Sequence, residues 1–155
     1  MGSPVTEVPR AYLDSNVFIA ALENPGAHSD HAWWIIHAIE DGDIAAVTSE
    51  ITLAEVLVKP MEQGDVTLMA AYEGMIVSSG HFLVLPVGRD ILLGAARLRA
   101  QRRSIRLPDA IHIATAFASS CSCVVSDDQR LHSIDGVRSF SVNPFTLDDI
   151  LAEQR

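Results

Sequence analysis

At 155 residues, with 48% hydrophobic and 20% charged side chains, the chain is sized for one domain with a real core and lacks the composition of a disordered protein. No apolar run reaches the roughly 18 residues of a membrane helix, and a formal charge of −9 argues against a general nucleic-acid coat protein. Residues 1–9 carry neither a basic n-region nor an apolar h-region, so we expect a flexible leader, a folded unit over residues 10–155 and a cytoplasmic location.

Ala11-Tyr12-Leu13 predicts a short buried strand that ends at Asp14, and residues 17–22 predict a helix behind Ser15 and Asn16. Asn24-Pro25-Gly26 breaks the chain. A second helix is expected over residues 30–40, with Trp33, Ile36 and Ile39 at helical spacing. His28 and His31 before it have metal-like spacing, but the start of a helix accounts for them better. Residues 44–47 predict the second strand. Thr48-Ser49 then offers a cap and Glu50 a first-turn acid, for a helix carrying Ile51, Ala54, Leu57 and Val58 that should stop at Lys59-Pro60. Glu55 sits inside that apolar helix, either on its wet edge or in a cleft.

Residues 62–78 predict another amphipathic helix, residues 82–85 a third strand, and residues 89–102 a helix that buries Ile91, Leu92, Ala95 and Leu98. Next comes Leu107-Pro108-Asp109-Ala110. Proline is favoured at a helix start because its missing N–H would have lacked a partner there. Asp109 follows in the first turn, where the helix dipole favours an acid, and Ala110, Ile113, Ala114 and Phe117 recur on one face. His112, three residues beyond Asp109, lies on or near the same helix face, within reach of any site there, but a core or edge histidine is the better reading. A fourth strand is expected over residues 122–126, followed by Asp127-Asp128, then a fifth over residues 137–142 and a last helix over residues 146–153. Strands and helices alternate throughout, which implies a single α/β domain with a parallel sheet covered by helices on both faces.

Cys121 and Cys123 lie two apart on one strand, a poor geometry for a disulfide. Without a second pair they make no zinc site, so two buried thiols are expected. Among the basic residues, Arg97, Arg99, Arg102, Arg103 and Arg106 fall just before Pro108, and Lys59 is the single lysine. Arginine's planar fork suits phosphate as well as carboxylate.

The acids share an address. Asp14 and the Asp127/Asp128 doublet follow strands at their carboxyl ends, Asp109 opens a helix, and Glu55 lies one turn into another. In a parallel sheet those strand ends form one edge, where sites assemble. Two like charges about 4 Å apart repel by roughly 4 kcal/mol at an effective dielectric near 20. Converging carboxylates therefore either rise in pKa or bind a cation, and hard oxygen ligands favour Mg²⁺ or Mn²⁺.

Tyr12-Leu13-Asp14-Ser15-Asn16, Thr52-Leu53-Ala54-Glu55-Val56, Leu107-Pro108-Asp109-Ala110 with Ala114-Thr115-Ala116, and Val125-Ser126-Asp127-Asp128-Gln129-Arg130-Leu131 resemble, in order and spacing, the four motifs of PIN-domain ribonucleases. The likeness is greatest to VapC-type toxins of toxin–antitoxin pairs, and it spans about residues 10–145. It implies a five-stranded twisted parallel sheet flanked by helices, with Asp14, Glu55, Asp109 and Asp128 around one or two Mg²⁺ or Mn²⁺ ions. Asp127 is the alternative to Asp128, and Asn16 and Ser126 would support the acids by hydrogen bonds. The implied activity is metal-assisted hydrolysis of RNA phosphodiester bonds leaving a 5′-phosphate, with the arginine cluster guiding the RNA backbone. A cognate antitoxin is implied as partner, and a homodimer is common in such proteins. The alternative is a catalytically silent PIN-like module acting by binding, against which the presence of all four acids argues. A haloacid-dehalogenase-like enzyme would need a second acid where this chain has Asn16.

Overall fold

The computed structural model describes residues 7–153, so residues 1–6 of the expected leader lie outside the described residues. Pro9 at the leader's end is buried, and its carbonyl accepts a hydrogen bond from the Ala45 N–H at 2.8 Å. The elements run β1 (Arg10–Leu13), α1 (Ser15–Leu22), α2 (Ala27–Glu40), β2 (Ala45–Ser49), α3 (Glu50–Gln63), α4 (Val66–Met75) and β3 (Phe82–Leu85). They continue α5 (Arg89–Gln101), α6 (Leu107–Ala118), β4 (Cys123–Val125), α7 (Gln129–His132), β5 (Ser139–Phe140) and α8 (Thr146–Ala152). The strands form one sheet in the order β3-β2-β1-β4-β5, every pair parallel. This is the α/β architecture that the alternation predicts.

Side chains alternate across a strand, and here the alternation divides the core into two layers. Ala11 and Leu13 of β1, Ala46 of β2, and Cys123 and Val125 of β4 face one layer, with Phe18, Ile35, Leu57, Tyr72 and Ile150 from the helices. Tyr12, Val47 and Val124 face the other, with Ile91, Ala95, Ile111, Ile113 and Leu131. Trp33 and Met69 pack against the first layer. Connections leave β1 toward β2 and β3 on one side, then return across α5 and α6 to β4 on the other. The β1/β4 boundary is therefore the point where the strand order reverses, and a crevice opens there at the carboxyl ends.

Several boundaries differ from expectation. Helix α3 continues through buried Pro60 and ends only at Gly64, which adopts φ +65°. Glycine enters that left-handed region without the Cβ penalty and so makes the better stop. The next helix starts accordingly later, at Val66, because the Asp65 carboxylate accepts from the Leu68 N–H at 2.9 Å and caps it. Helix α1 starts earlier than expected because Asp14 itself is its cap. The fifth strand shrinks to Ser139–Phe140, and the short α7 has no counterpart in the periodicity. Cys121 is partly and Cys123 fully buried, both unpaired, and burial pushes both thiols up to about 12. They remain protonated at neutral pH. His28 and His31 do not form a metal pair: His28 meets Asp127, and His31 packs on Trp34.

One ionic junction links three helices on the first layer. Glu23, just past α1, accepts from Lys59 Nζ of α3 at 2.7 Å and from the Tyr72 hydroxyl of α4 at 2.5 Å. Burial works against its charge, but the two hydrogen bonds and the Lys59 charge outweigh it and hold the carboxyl below the usual 4.5. A carboxyl lowered on folding contributes stability above its unfolded pKa and loses it as pH falls through the folded value. Glu23→Gln is expected to lower stability by about 1–2 kcal/mol at pH 7. In denaturant titrations, that deficit should shrink as pH drops below 4.5; a deficit independent of pH would show that charge is not its origin.

Candidate metal-dependent active site

Asp14 leaves the end of β1 and immediately caps α1: its Oδ1 accepts from the Ser15 N–H at 2.8 Å. Its Oδ2 accepts from the Ser126 hydroxyl at 2.6 Å and from Asn16 Nδ2 at 3.2 Å. The carboxylate is buried, and Ser126, beyond β4, is wholly so. Both residues expected to support the acids therefore touch Asp14 directly. Ser126 does more, because its Oγ also accepts from the Asp128 N–H at 3.0 Å. One hydroxyl thus ties the two strand-end acids across the β1/β4 boundary.

Helix α6 brings the third acid. Asp109 and His112 are both buried, as is every other residue of the helix from Asp109 to Ala116. Asp109 Oδ2 accepts from Arg106 Nε at 3.1 Å, and Arg106 Nη2 lies 4.0 Å from Asp128 Oδ2. Asp128 is further held by a two-pronged contact with Arg130, at 3.0 Å from Nε and 2.8 Å from Nη2. The Arg130 guanidinium beside it keeps the Asp128 carboxyl below its usual range.

The two acids of the doublet make different contacts. Asp128 lies beside Arg106 and Arg130, whereas Asp127 Oδ2 meets His28 Nε2 at 2.8 Å and its Oδ1 accepts from the Val142 N–H at 2.9 Å.

Glu55, on α3, reaches the same place. Its Oε1 is 2.5 Å from His112 Nε2, which is 3.4 Å from Asp14 Oδ1. One oxygen each from Asp14 and Glu55, together with the His112 nitrogen, lie within 4.8 Å of one another. Burial alone would push the His112 imidazole down, but the hydrogen bond to Glu55 and the charges of Asp14, Glu55 and Asp109 outweigh it and raise its pKa.

The sequence reading assigned no site role to two groups that stand at the acids. His112 is indeed in the core, 1% exposed, yet its Nε2 looks into the acids; the available signal was its position one turn beyond Asp109. Arg130 lay inside the fourth motif without a role. The arginine cluster, by contrast, is largely committed elsewhere. Arg99 donates to the Ile105 carbonyl and Arg102 to that of Ser133, Arg106 serves Asp109, and among the described residues no hydrogen bond or ion pair holds Arg97 or Arg103.

A sequence model of the PIN domain matches residues 11–137. The chain belongs to the PIN domain family. Solved structures with the same fold include VapBC2 from Rickettsia felis, bound to a promoter DNA fragment (TM-score 0.68, 14% identity, 86% of this chain and 99% of that one). DNA-bound VapBC from Salmonella typhimurium is similar at TM-score 0.67 and 20% identity, over 88% of this chain and 100% of that one. VapC20 of Mycobacterium tuberculosis, a sarcin–ricin-loop-cleaving toxin, is similar at TM-score 0.64 and 15% identity, over 83% and 98%. No curated protein matches the sequence.

The donor set of this PIN domain fits a hard divalent cation. Asp14 and Glu55 offer carboxylate oxygens in the cluster, with Asp109 and Asp128 nearby, and the His112 nitrogen, facing the Glu55 acceptor, carries a hydrogen and donates to it. A separate cavity of about 400 Å³ lies on the first core layer, walled by Leu13, Phe18, Trp33, Met75 and Phe82; none of the four acids lines it. Among the described residues no helix is long and apolar enough to cross a membrane.

Proposed function

We propose that this PIN domain is a Mg²⁺- or Mn²⁺-dependent endoribonuclease, acting as the toxin of a toxin–antitoxin pair. The observation that carries the reading is the convergence of Asp14 and Glu55 on His112 near the reversal point of the sheet, with Asp109 and Asp128 joined to each other through Arg106 and Asp128 joined to Asp14 through Ser126. When bound, a divalent ion at such a site supplies an acidified water and neutralises charge on the phosphoryl oxygens.

Asp14 and Asp109 are the first candidates for direct ligands, because both are buried and carry charge where water cannot screen it. Glu55 and Asp128 are the candidates to complete the ligand set or to orient and deprotonate the attacking water. Asn16 and Ser126 fix the Asp14 carboxylate in one orientation. Arg106 and Arg130 stand at the acids on the exposed side and can exchange a carboxylate for an RNA phosphate, to which the same planar fork is matched. Arg97 and Arg103, both exposed, extend a cationic approach beyond them.

Membership of the family, and similarity to the solved VapBC structures, support a cognate antitoxin as the partner. Its basic side chains would complement the acidic crevice. The test is incubation of the purified protein with single-stranded and structured RNA in Mg²⁺ or Mn²⁺, beside an EDTA control. Cleavage is expected with the metal and none with EDTA. No cleavage of any RNA, with no Mn²⁺ binding by calorimetry, would favour a silent binding module.

A further inference from the structure

We infer that Tyr12 and His112 form a positioning pair that holds Glu55 against Asp14, so that an incoming divalent cation meets an assembled pair of carboxylates. The inference rests on the metal-site reading above and assigns roles to two residues outside the four acids.

Glu55 is the acid that most needs holding. Its side chain is 35% exposed, it leaves a helix, and it has three rotatable bonds to order. Among the described residues its carboxylate has one hydrogen-bond partner, His112 Nε2, at 2.5 Å. The same nitrogen is 3.4 Å from Asp14 Oδ1. Ionised carboxylates only accept, so the hydrogen sits on Nε2 and is given to Glu55, with Asp14 close beside it. The bond uses Glu55 Oε1 and leaves Oε2 for a ligand.

The ring is itself held. His112 Nδ1 is 2.5 Å from the Tyr12 hydroxyl, and the two rings meet edge to face with centroids 5.7 Å apart. Tyr12 is wholly buried on β1, two residues before Asp14, in the second core layer. Its hydroxyl also neighbours those of Thr48 and Thr52, which bond each other at 2.8 Å while Thr48 donates to the Leu13 carbonyl at 2.7 Å. The Tyr12 hydroxyl on β1 thus fixes an imidazole on α6, which fixes an acid on α3. A histidine that only filled the core would be satisfied by Tyr12 and would not need its second nitrogen turned to two acids.

The test is Mn²⁺ affinity, by calorimetry, of the parent, Tyr12→Phe, His112→Ala, His112→Gln and the double variant Tyr12→Phe/His112→Ala, with Asp14→Asn as control. His112→Ala is expected to weaken binding about 10- to 100-fold, as loss of a group that orients a ligand does. His112→Gln, which keeps an N–H donor, should recover part of the loss. Tyr12→Phe removes only a hydroxyl and should weaken binding about fivefold. Because Tyr12 acts through His112, it should cost nothing more once His112 is alanine. Unchanged or tighter binding by His112→Ala, or equal and additive losses, would overturn the pair; if His112→Ala does not fold, unchanged affinity in Tyr12→Phe does so alone. A parent that binds no Mn²⁺ sinks the metal-site reading as well, whereas binding that Asp14→Asn abolishes and the pair's variants leave intact overturns the pair only.

Discussion

Asp14→Asn is expected to lower RNA cleavage at least about a thousandfold while the protein stays folded. The size follows from what a divalent ion contributes: several kcal/mol of charge stabilisation, where about 4 kcal/mol corresponds to about a thousandfold in rate. Asp14 is bonded to Ser15, Asn16 and Ser126 and faces His112. Asparagine keeps the oxygen that accepts from the Ser15 N–H, so α1 retains its cap. Its amide then opposes the Asn16 amide and the Ser126 hydroxyl, a loss of about 1 kcal/mol, while repulsion from Glu55 is relieved. Circular dichroism and a thermal melt should therefore match the parent closely. Cleavage that persists in the folded variant would remove Asp14 from the mechanism.

Ile113→Ala should have the largest effect on stability, lowering it by about 2–5 kcal/mol. Ile113 is wholly buried in the second core layer, one residue beyond His112 on α6. Alanine leaves a cavity that the surrounding β-sheet and α5 can fill only in part, because sheet geometry resists collapse. For a domain of this size the melting temperature should drop on the order of 10 °C. Since α6 carries Asp109 and His112, Mn²⁺ affinity should fall as well, and more than for an equally destabilising change in the first layer, such as Ile35→Ala. Equal affinity in the two would show that α6 does not position the site.

The contrast between these two positions marks how far sequence reaches. The α/β class and each strand were legible because hydrophobic period and punctuation are local properties. Asp14 and Asp109 stood out because one follows a strand end and the other opens a helix, whereas Glu55, inside a helix, was named only by the resemblance of its motif. The stop at Gly64 in place of Pro60 was less legible, since it depends on whether the buried helix tolerates a proline. The length of β5 depends on its one neighbour, β4.

What tertiary structure alone decided is direction. Asp127 and Asp128 are equivalent as letters, and only their placement against His28 on one side and Arg106 on the other separates them. Arg99 and Arg102 resemble phosphate ligands in the sequence, yet backbone carbonyls 6 and 31 residues away take up their donors. His112 reads as core and is core, but the same ring bridges Tyr12, 100 residues away, and Glu55, 57 residues away. The residue types and their period determined which elements form and which acids lie near the sheet's carboxyl edge. The partners of each side chain were set by long-range packing, because hydrogen-bond geometry acts over a few ångströms and the chain brings those groups together only once it has folded.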